Sequence, residues 1–468
     1  VSVCRDLACA MRGGAALTER IEAWAAECGG DVDVHRVSCL GRCDRAPACL
    51  FGDEPASHAE VEAGLRMEPG ALDAFAPSEP STRVDAGFAS DPYPDADAHY
   101  GALRDRVASG DWPWLIDRVE ASGLRGMGGA GFPTGAKWRM VAGQSQTPKI
   151  AVCNADESEP GTFKDREILA RLPHLAVEGL ALGGLCVGAE RGIFFVRHEY
   201  GPETRRLREE IERARQLGAL GCDVFGSGRA FDVEVFVSPG GYVLGEETAL
   251  LECLEGRRGE PRNKPPFPGE SGLRGLPTLI NNVETLCAVP RIARGADADL
   301  KFFSVSGDVA SPGVHEVPLG TTLSDLVERC GGMRDGRPLL AFLPGGASTG
   351  FLGAEHAHIP LDWQSLREAG SALGSGAVVV VAEGADLRLL AGNLTAFFRN
   401  ESCGKCVPCR IGTERAVKLI EASGPLDVEG LSALADLLAD TSICGLGQAA
   451  LIPITSVIDG FGAQGEDS

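Results

Sequence analysis

The chain is short of basic residues, with 44 Lys and Arg against 66 Asp and Glu and a net charge of −22. That deficit argues against a nucleic-acid backbone or an anionic membrane surface as the partner. The sequence also lacks any apolar run close to the ~20 residues that a membrane helix needs. It lacks tandem repeats, and it lacks a signal-peptide pattern, since VSVCRDLACA has early charges and no apolar core. These absences predict a cytoplasmic protein that neither spans a membrane nor binds nucleic acid.

Cysteine, by contrast, is abundant, and half of the 16 residues form two sets. The C-terminal set has Cys403, Cys406 and Cys409 at two-residue gaps, with Cys444 far downstream. Three thiolates on one turn of backbone and a remote fourth are typical of a [4Fe–4S] site. A structural zinc site is the alternative, although zinc usually takes its ligands as two separated pairs.

The N-terminal set consists of two pairs, Cys4 with Cys9 and Cys39 with Cys43. The gaps within the pairs are four and three residues, and 29 residues separate the pairs. This spacing suits a [2Fe–2S] rhomb, because each iron needs two ligands. Two disulfides or a zinc site are the alternatives, but disulfides require an oxidising compartment. The other cysteines stand singly and are expected to be small buried hydrophobes: Cys28, Cys49, Cys153, Cys186, Cys222, Cys253, Cys287 and Cys330.

At 468 residues the chain is long enough for several domains. Helix and strand patterns predict a thioredoxin-like α/β domain over 1–75, and a Pro- and Asp-rich stretch predicts a linker over 76–99. A second α/β domain is expected over 100–295. Residues 296–375 combine short strands, many glycines and one helical segment, which indicates a β-rich module. The apolar spacing over 385–468 predicts a helical bundle that carries the C-terminal cysteine set.

A glycine-rich segment, SGLRGMGGAGFPTGAKW, is the second chemical centre. Gly126, Gly128 and Gly131 satisfy GxGxxG, and Asp156 lies 25 residues further on, so a Rossmann dinucleotide site is the first hypothesis. We reject it, because the fingerprint must follow a strand and open a helix. Here WLIDRVEASG before the glycines looks helical, and Pro133 is expected to break the segment after them.

The segment nevertheless has the composition of a ligand-binding loop. Its glycines let backbone amides approach a phosphate or a flat ring closely. Phe132 offers a stacking face and Lys137 offers a cation. A plain glycine-rich surface turn is the alternative.

An acidic loop follows an apolar strand in KIAVCNADESEPG. It contains Asp156, Glu157 and Glu159. Carboxylates at the carboxyl end of a strand suit ribose or ribityl hydroxyls. A solvated acidic loop is the alternative.

Two later segments add polar and aromatic groups. GYVLGEETAL places Glu246 and Glu247 at the start of a helix, where capping alone would explain them. KPPFPGESGLRGLPTLINNVET supplies a rigid aromatic, Phe267, and two amides, Asn281 and Asn282. Each signal is weak by itself, and the combination with two cysteine sets favours a redox protein.

The motifs resemble those of a known family, the NADH-binding flavoproteins. This family includes the 51-kilodalton-type subunit of respiratory complex I and the diaphorase subunits of NAD-reducing hydrogenases and NAD-dependent formate dehydrogenases. Its successive motifs are similar to SGLRGMGGAGFPTGAKW, CNADESEPGTFKDR, GGYVLGEETALLECLEG, KPPFP, TLINNVET and ESCGKCVPCRIGT. The N-terminal CRDLACAMRGG and CLGRCDRAPAC resemble the thioredoxin-like [2Fe–2S] domain of the partner 24-kilodalton-type subunit, fused here without its helical bundle.

The resemblance implies a non-Rossmann FMN and NADH domain, a β-grasp (soluble-ligand-binding) module and a helical [4Fe–4S] domain. It also implies roles for individual residues, and it leaves two departures, Met127 for a common Arg and Met140 for a common aromatic. The implied FMN contacts, with Gly131 in the same loop, are Gly126, Gly128, Gly129, Lys137, Asn154, Asp156, Tyr242, Gly245, Glu246, Asn281, Asn282 and Thr285. The implied NADH contacts are Phe132, Glu157, Glu159, Glu247, Lys264 and Phe267. Glu159 is the candidate for tuning the flavin.

The implied function is a diaphorase that exchanges hydride between NAD(H) and FMN and passes single electrons to or from [2Fe–2S] and [4Fe–4S] clusters. The expected partners are other electron-transfer subunits, either those of a molybdenum or tungsten enzyme or those of a hydrogenase. The fused thioredoxin-like domain and the lack of a two-cluster ferredoxin tail favour NAD-dependent formate dehydrogenase over hydrogenase or complex I. A flavin-free electron wire and a zinc-stabilised scaffold are the rival functions.

Overall fold

The computed structural model describes residues 1–28, 32–52, 54–56, 60, 61, 63, 65, 83, 84 and 87–462. The chain divides into two compact units, the first made of 1–85, 158–163 and 303–468, the second of 86–157 and 164–302. Parts of the predicted thioredoxin-like domain (including 66–75), of the linker (76–82, 85 and 86) and of the C-terminal bundle (463–468) lie outside the described residues.

A small four-stranded sheet begins the first unit. Its strands, in the order β2-β1-β3-β4, are β1 (Ser2–Cys4), β2 (His35–Val37), β3 (Cys49–Phe51) and β4 (Glu54–Ala56), and helices α1 (Leu7–Met11) and α2 (Gly14–Glu27) follow β1. The first strand pairs parallel with β2 and antiparallel with β3. Leu17 and Ile21 of α2 pack in one cluster with Val3 and Cys49. This arrangement confirms the predicted thioredoxin-like sandwich.

The second unit is built around a parallel sheet with the order β8-β7-β6-β9. The strands are β6 (Lys149–Ala155), β7 (Ala189–Arg197), β8 (Asp232–Ser238) and β9 (Thr278–Asn282). The helices are α3 (Gly101–Ser109), α4 (Trp112–Ala121), α5 (Thr134–Ala142), α6 (Lys164–Arg171), α7 (Pro173–Val187), α8 (Gly201–Gln216), α9 (Glu247–Leu254), α10 (Pro268–Ser271) and α11 (Val283–Ala293). All three strand pairings are parallel, so the helices are the crossover connections that the α/β pattern predicted.

Helix α7 has the sequence signals of a buried helix at both of its ends. Proline occupies its first turn, and Gly188 follows its last turn at a φ of 83°, where an L side chain would be strained. Every residue of α7 is buried.

Among the described residues no single helix is long and apolar enough to cross a membrane, and only α6 and α7 taken together, with a bend of 96°, reach that length and composition.

A six-stranded sheet and a set of helices complete the first unit. The sheet, in the order β13-β12-β14-β10-β11-β5, contains β5 (Arg83–Val84), β10 (Leu300–Gly307), β11 (Gly313–Pro318), β12 (Leu339–Leu343), β13 (Leu352–Gly353) and β14 (Ala377–Ala382), with α12 (Leu323–Arg329) and α13 (Trp363–Glu368) beside it. Its core includes Phe303, Leu326, Phe342 and Val380. Strand β14 lies beyond the predicted boundary at 375, and β5 comes from the predicted linker, so the module takes strands from both sides of the predicted range.

The C-terminal helices are α14 (Leu387–Glu401), α15 (Val407–Glu421), α16 (Val428–Thr441), α17 (Gly445–Ala449) and α18 (Ile452–Phe461), as the apolar spacing predicted. Helix α14 contacts the N-terminal domain. The Asn393 side-chain amide donates to the Arg5 carbonyl at 3.1 Å, and the Ser38 hydroxyl donates to the Glu401 carboxylate. The two ends of the chain therefore meet within the first unit.

A buried carboxylate ties the start of the second unit to α7. Glu178 accepts hydrogen bonds from the Tyr93 hydroxyl at 2.7 Å and from the Leu103 amide at 2.9 Å. Burial raises the pKa of Glu178 from 4.5 to about 7, although these donors and the charge of Arg294 oppose the shift. Between these two values the folded chain holds a proton that the unfolded chain has lost.

The free energy of unfolding should therefore fall as the pH rises from 4.5 through 7. Glu178→Gln keeps the shape but cannot ionise, so we expect the variant to lose this part of the pH dependence. At pH 8 it should be more stable than the parent chain by up to about 3 kcal/mol. Urea unfolding at pH 5 and pH 8 measures both slopes, and equal slopes for the two proteins would contradict the assignment.

Candidate functional site

The order of the parallel strands creates a crevice. The chain runs from β6 outward to β7 and β8 and then returns to place β9 on the other side of β6. Ligands bind at such switch points, outside the carboxyl ends of the strands. Asn154 of β6 lies opposite Asn282 of β9, and Asp156 follows β6 directly. The structure thus brings together residues that are 128 positions apart and that the sequence predicted separately.

The glycine-rich loop lies between α4 and α5 rather than after a strand, which confirms that it is not a Rossmann fingerprint. The expectation that Pro133 breaks the segment after the glycines is wrong, since α5 begins at Thr134. Pro133 is the N-cap residue, just before the first turn, where no helical hydrogen bond needs its missing N–H.

Two backbone hydrogen bonds close this loop. The Gly126 amide donates to the Phe132 carbonyl at 2.8 Å, and the Thr134 amide donates to the Leu124 carbonyl at 2.9 Å. Gly129 has a φ of +124°, and no atom lies within 4 Å of the position that a Cβ would take. The loop therefore presents bare backbone to open space at Gly129.

Side chains at the end of β9 and in the helix after it hold the loop and α5 against the crevice. The Met127 amide donates to Thr285 Oγ1 at 2.9 Å, and a Cβ on Gly128 would lie 3.1 Å from the Asn282 Cβ. The Trp138 indole donates to Asn281 Oδ1 at 2.9 Å. The Met127 side chain is buried and lines a cavity of about 20 Å³, so it does not face the open side of the loop.

Two lysines and two glutamates lie together beside the crevice. Lys137 Nζ is 3.5 Å from Glu247, and Lys264 Nζ is 2.8 Å from Glu246. Partial burial lowers the pKa of Lys264, but the hydrogen bond and charge of Glu246 outweigh it and raise that pKa overall. The other Glu246 oxygen caps α9 by accepting from the Thr248 and Ala249 amides, so capping accounts for part of its role.

Two phenylalanine rings are exposed in the same group of segments. Phe132 and Phe267 are each 48% exposed. The Lys137 ammonium lies 5.9 Å from the Phe132 ring centre. Exposed rings, with a cation beside that of Phe132, suit the stacking of a flat, anionic ligand. Met140 packs near the turn that comes after Phe267, where a Cβ on Gly269 would lie 3.4 Å from its sulfur.

Glu157 is buried and caps helix α6. Its carboxylate accepts from the Asp165 and Arg166 amides at 2.9 and 3.1 Å and from the Tyr200 hydroxyl at 2.9 Å. Burial and the charge of Asp165 raise the pKa of Glu157 to about 7, against the opposing charge of Lys164. The predicted NADH contact by Glu157 stays a prediction. The sequence analysis missed Tyr200, for which only its place after a buried strand was a signal.

A buried ionic network was also missed. Lys164 Nζ lies 2.7 Å from Asp165 and 2.9 Å from Glu284, and Lys301 Nζ lies 2.7 Å from Glu284. All four side chains are at most 4% exposed. Asp165 also accepts from the Asn282 side-chain amide at 2.6 Å. The network therefore orients one of the two amides at the crevice.

Glu159 belongs to the first unit. One oxygen of its carboxylate accepts from the Ser348 amide at 2.8 Å and from the Ser348 hydroxyl at 2.5 Å. Ser348 lies in the loop after β12. The role of Glu159 in tuning a flavin stays a prediction.

Tyr242 and Gly245 form the short 3₁₀ turn before α9, and the Gly245 carbonyl accepts from the Asn154 side-chain amide at 2.8 Å.

The N-terminal cysteines form one buried site in the first unit. Cys4, Cys9, Cys39 and Cys43 are each at most 5% exposed. The sulfurs of Cys39 and Cys43 lie 3.9 Å apart, and Cys4 hydrogen-bonds to Cys9. The pairing matches a rhomb with two ligands on each iron. The Ala48 amide donates to Cys9 at 3.4 Å, the kind of hydrogen bond that stabilises thiolate ligands.

The C-terminal cysteines also converge. Burial raises the pKa of Cys409 to about 11, the Ser402 hydroxyl opposes this, and the charges of Cys406, Cys444 and Cys403 add to it. Thiols whose charges interact in this way favour a cation that replaces their protons. In the part of the chain that the structure describes, neither cysteine set has three sulfurs within 4.8 Å of one another. Ligands of a single zinc would lie closer, about 3.8 Å apart for Zn–S bonds of ~2.3 Å.

The remaining cysteines follow the expectation with exceptions. Cys222 is exposed and Cys28 is partly exposed, whereas the other six are buried.

Asp91, His99 and His174 place three possible metal ligands within 4.8 Å. The two imidazoles are stacked at 3.7 Å and nearly parallel, and Arg213 lies 3.1 Å from His99 Nδ1. Parallel rings beside a guanidinium do not converge on a cation.

Family models match four regions of the chain. They are the thioredoxin-like [2Fe-2S] ferredoxin over 1–64, the Nuo51 FMN-binding domain over 119–291, the SLBB domain over 302–352 and the NADH-ubiquinone oxidoreductase-F iron-sulfur binding region over 389–468. These regions contain the N-terminal cysteine site, the crevice, the central part of the six-stranded module and the C-terminal cysteine site. FMN, [2Fe–2S] and [4Fe–4S] are therefore the cofactors of the family that these regions represent.

Known proteins are similar over most of the chain. An F-type subunit of NADH-quinone oxidoreductase from Rhizobium meliloti is 42% identical over 79% of this chain and 92% of its own length. The HndC subunit of the NADP-reducing hydrogenase of Solidesulfovibrio fructosivorans is 41% identical over 74% of both chains. A crystal structure of an NAD⁺-reducing [NiFe]-hydrogenase in the H₂-reduced state covers 98% of this chain and 82% of its own, with a TM-score of 0.86 and 31% identity. The chain belongs to the family of NADH-oxidising flavoprotein subunits, with FMN and iron–sulfur clusters, that includes the F-type subunits of NADH-quinone oxidoreductase.

Proposed function

We propose that the crevice at the β6–β9 switch point holds FMN. The observation that carries this assignment is the open backbone at Gly129 beside the paired amides of Asn154 and Asn282. Lys137 supplies a cation for phosphate, and the amides supply donors and acceptors for a polar ring edge or a ribityl chain. When bound, FMN exchanges a hydride with nicotinamide and passes electrons singly to iron–sulfur centres. The further FMN contacts proposed from the family motifs are Gly126, Gly128, Gly131, Asp156, Tyr242, Gly245, Glu246, Asn281 and Thr285.

NADH is proposed to bind beside the exposed rings of Phe132 and Phe267. Glu247 and Lys264 lie within 3.5 Å of each other, and this pair can take ribose hydroxyls and a phosphate. Glu157 and Glu159 complete the proposed set. The chain's residues thus position the dinucleotide and exclude water, and no side chain is assigned as an acid or a base.

Replacing Phe132 with alanine tests this site. The variant loses a stacking face, so we expect KM for NADH to rise by about tenfold or more with a neutral quinone such as menadione as acceptor. Trp114→Ala, which removes a ring that is 38% exposed on α4, is the matched control and should leave KM unchanged.

The absorbance spectrum and extraction of the flavin distinguish this function from that of an electron-transfer protein that contains clusters but no flavin. Full NADH oxidation by a preparation without flavin would end the idea. Metal analysis separates it from a zinc-stabilised scaffold, which would contain zinc in place of iron.

The larger assembly is proposed to be an NAD-dependent formate dehydrogenase complex, in which this chain exchanges electrons with a molybdenum or tungsten subunit. The fused thioredoxin-like domain supports this proposal. An NAD⁺-reducing hydrogenase is the second candidate, favoured by the 98% coverage of this chain by such a structure. The complex isolated from its native source should reduce NAD⁺ with formate and not with H₂. The opposite result selects the hydrogenase.

A further inference from the structure

Helix α15 presents an unusual outer face next to the C-terminal cysteine site. Val407 and Ile411 lie one turn apart and are 58% and 57% exposed. The buried side of the helix is formed by other residues, among them Cys409, Thr413 and Ala416. The two side chains together form a small apolar patch, and an apolar patch with a polar rim is the kind of surface that marks a contact site.

This face is also positively charged within an acidic protein. Residues 399–421, which end with α15, contain five Lys and Arg and three Asp and Glu, a net charge of +2, so the rest of the chain carries −24. Lys405, Arg410, Arg415 and Lys418 are all exposed. Glu414 and Glu421 are the acidic residues of α15, and Glu414 pairs with Lys418 at 3.0 Å. The charge is therefore concentrated around Val407 and Ile411.

The face begins at the cluster ligands. Cys406 precedes the first turn of α15 and, like Cys403 and Cys444, is partly exposed. The N-terminal cysteines, by contrast, are at most 5% exposed. Of the two cysteine sites, the C-terminal one is thus nearer to the protein surface.

We propose that this basic, apolar-centred face of α15 is the docking surface for a one-electron redox protein whose own surface is acidic around its centre. The proposal rests on the proposed function, in which FMN exchanges single electrons with the iron–sulfur centres of the chain. Charge complementarity steers the encounter and falls with ionic strength, and the two aliphatic side chains supply the small dry contact. A basic partner would be repelled by the same face.

Two surrogate partners test the proposal on the full-length, cofactor-loaded chain: an acidic blue-copper protein and a basic c-type cytochrome. Each NADH would reduce two Cu(II) centres to Cu(I), releasing NAD⁺ and one proton. We expect the copper protein to bind, as measured by calorimetry, and its reduction rate to fall by about tenfold or more when ionic strength rises from low to near 0.3 M. The cytochrome should show no such fall.

Variants localise the surface. Ile411→Asp, and separately Arg415→Glu with Lys418→Glu, should weaken binding of the copper protein by about tenfold or more. Leu389→Asp, at an aliphatic residue of α14 that is 69% exposed, is the matched control and should bind normally. The cluster's paramagnetic resonance signal shows that each variant retains its iron.

Reduction of the neutral quinone menadione distinguishes failure of the proposed function from failure of the docking proposal. If the parent chain does not reduce menadione with NADH, the proposed function is refuted. If Ile411→Asp still reduces menadione but no longer binds the copper protein, the docking surface is supported. The docking proposal is overturned if the parent chain shows no salt-sensitive binding, or if Leu389→Asp and Ile411→Asp behave alike.

Discussion

Replacing Cys406 with serine should remove the [4Fe–4S] cluster and lower electron transfer from NADH to the partner subunits by more than about 100-fold. The basis is that Cys406 is one of four sulfurs that converge at this site, and even outer-shell changes at metal sites cost 10–100-fold. Iron analysis should show a loss of roughly four of six iron atoms. NADH-dependent reduction of menadione, which needs only the flavin site, should persist.

Cys222→Ser is the control, because this thiol stands singly and is exposed. It should leave both the iron content and the rate unchanged. A Cys406→Ser chain with full iron content and an unaltered resonance signal would show that the cluster lies elsewhere.

Replacing Glu284 with glutamine should destabilise the second unit by about 3–5 kcal/mol. Glu284 accepts from Lys301 Nζ at 2.7 Å and from the Phe302 amide at 2.9 Å, and Lys164 Nζ is 2.9 Å away. Without the Glu284 carboxylate, the buried ammonium groups of Lys164 and Lys301 lose one of the negative charges that offset their desolvation. Urea unfolding measures the loss as a lower midpoint.

The second substitution Lys301→Met checks the cause. It removes one of the two ammonium groups, so the double variant should be more stable than Glu284→Gln alone. Glu22→Gln, at an exposed pair with Arg36, should change the midpoint little, because surface pairs contribute little. Equal midpoints for the single and double variants would mean that Glu284 acts by packing and not by charge.

Local patterns predicted most of the fold. The segment that forms α7 is largely apolar, starts with proline and ends before glycine, and FDVEVFV, which forms β8, alternates; both patterns indicate their elements from neighbouring residues alone. The two-residue strand β5 was not readable, because its pairing with β11 depends on residues about 230 positions away. Strand β14 was assigned outside the module for the same reason, since its parallel pairing with β10 is long-range.

The site was predicted in part. The cysteine spacings and the motif resemblance identified the cluster residues and the segments of the crevice. The contacts among them depend on the fold: Glu157 caps a helix that begins seven residues later, and Lys164 meets Glu284 across 120 positions. A buried charge is visible only once its partners are placed, since the same residues would be ordinary surface charges in a loop.

The polar contact between the chain's two ends has a consequence for the stoichiometry of the two iron–sulfur domains. The contact includes the hydrogen bonds of Asn393 to Arg5 and of Ser38 to Glu401. Two separate polypeptides joined by such polar contacts would dissociate on dilution. A covalent tether holds such partners at an effective concentration in the ~mM range. The two iron–sulfur domains therefore occur in a one-to-one ratio in every copy, however dilute the protein becomes.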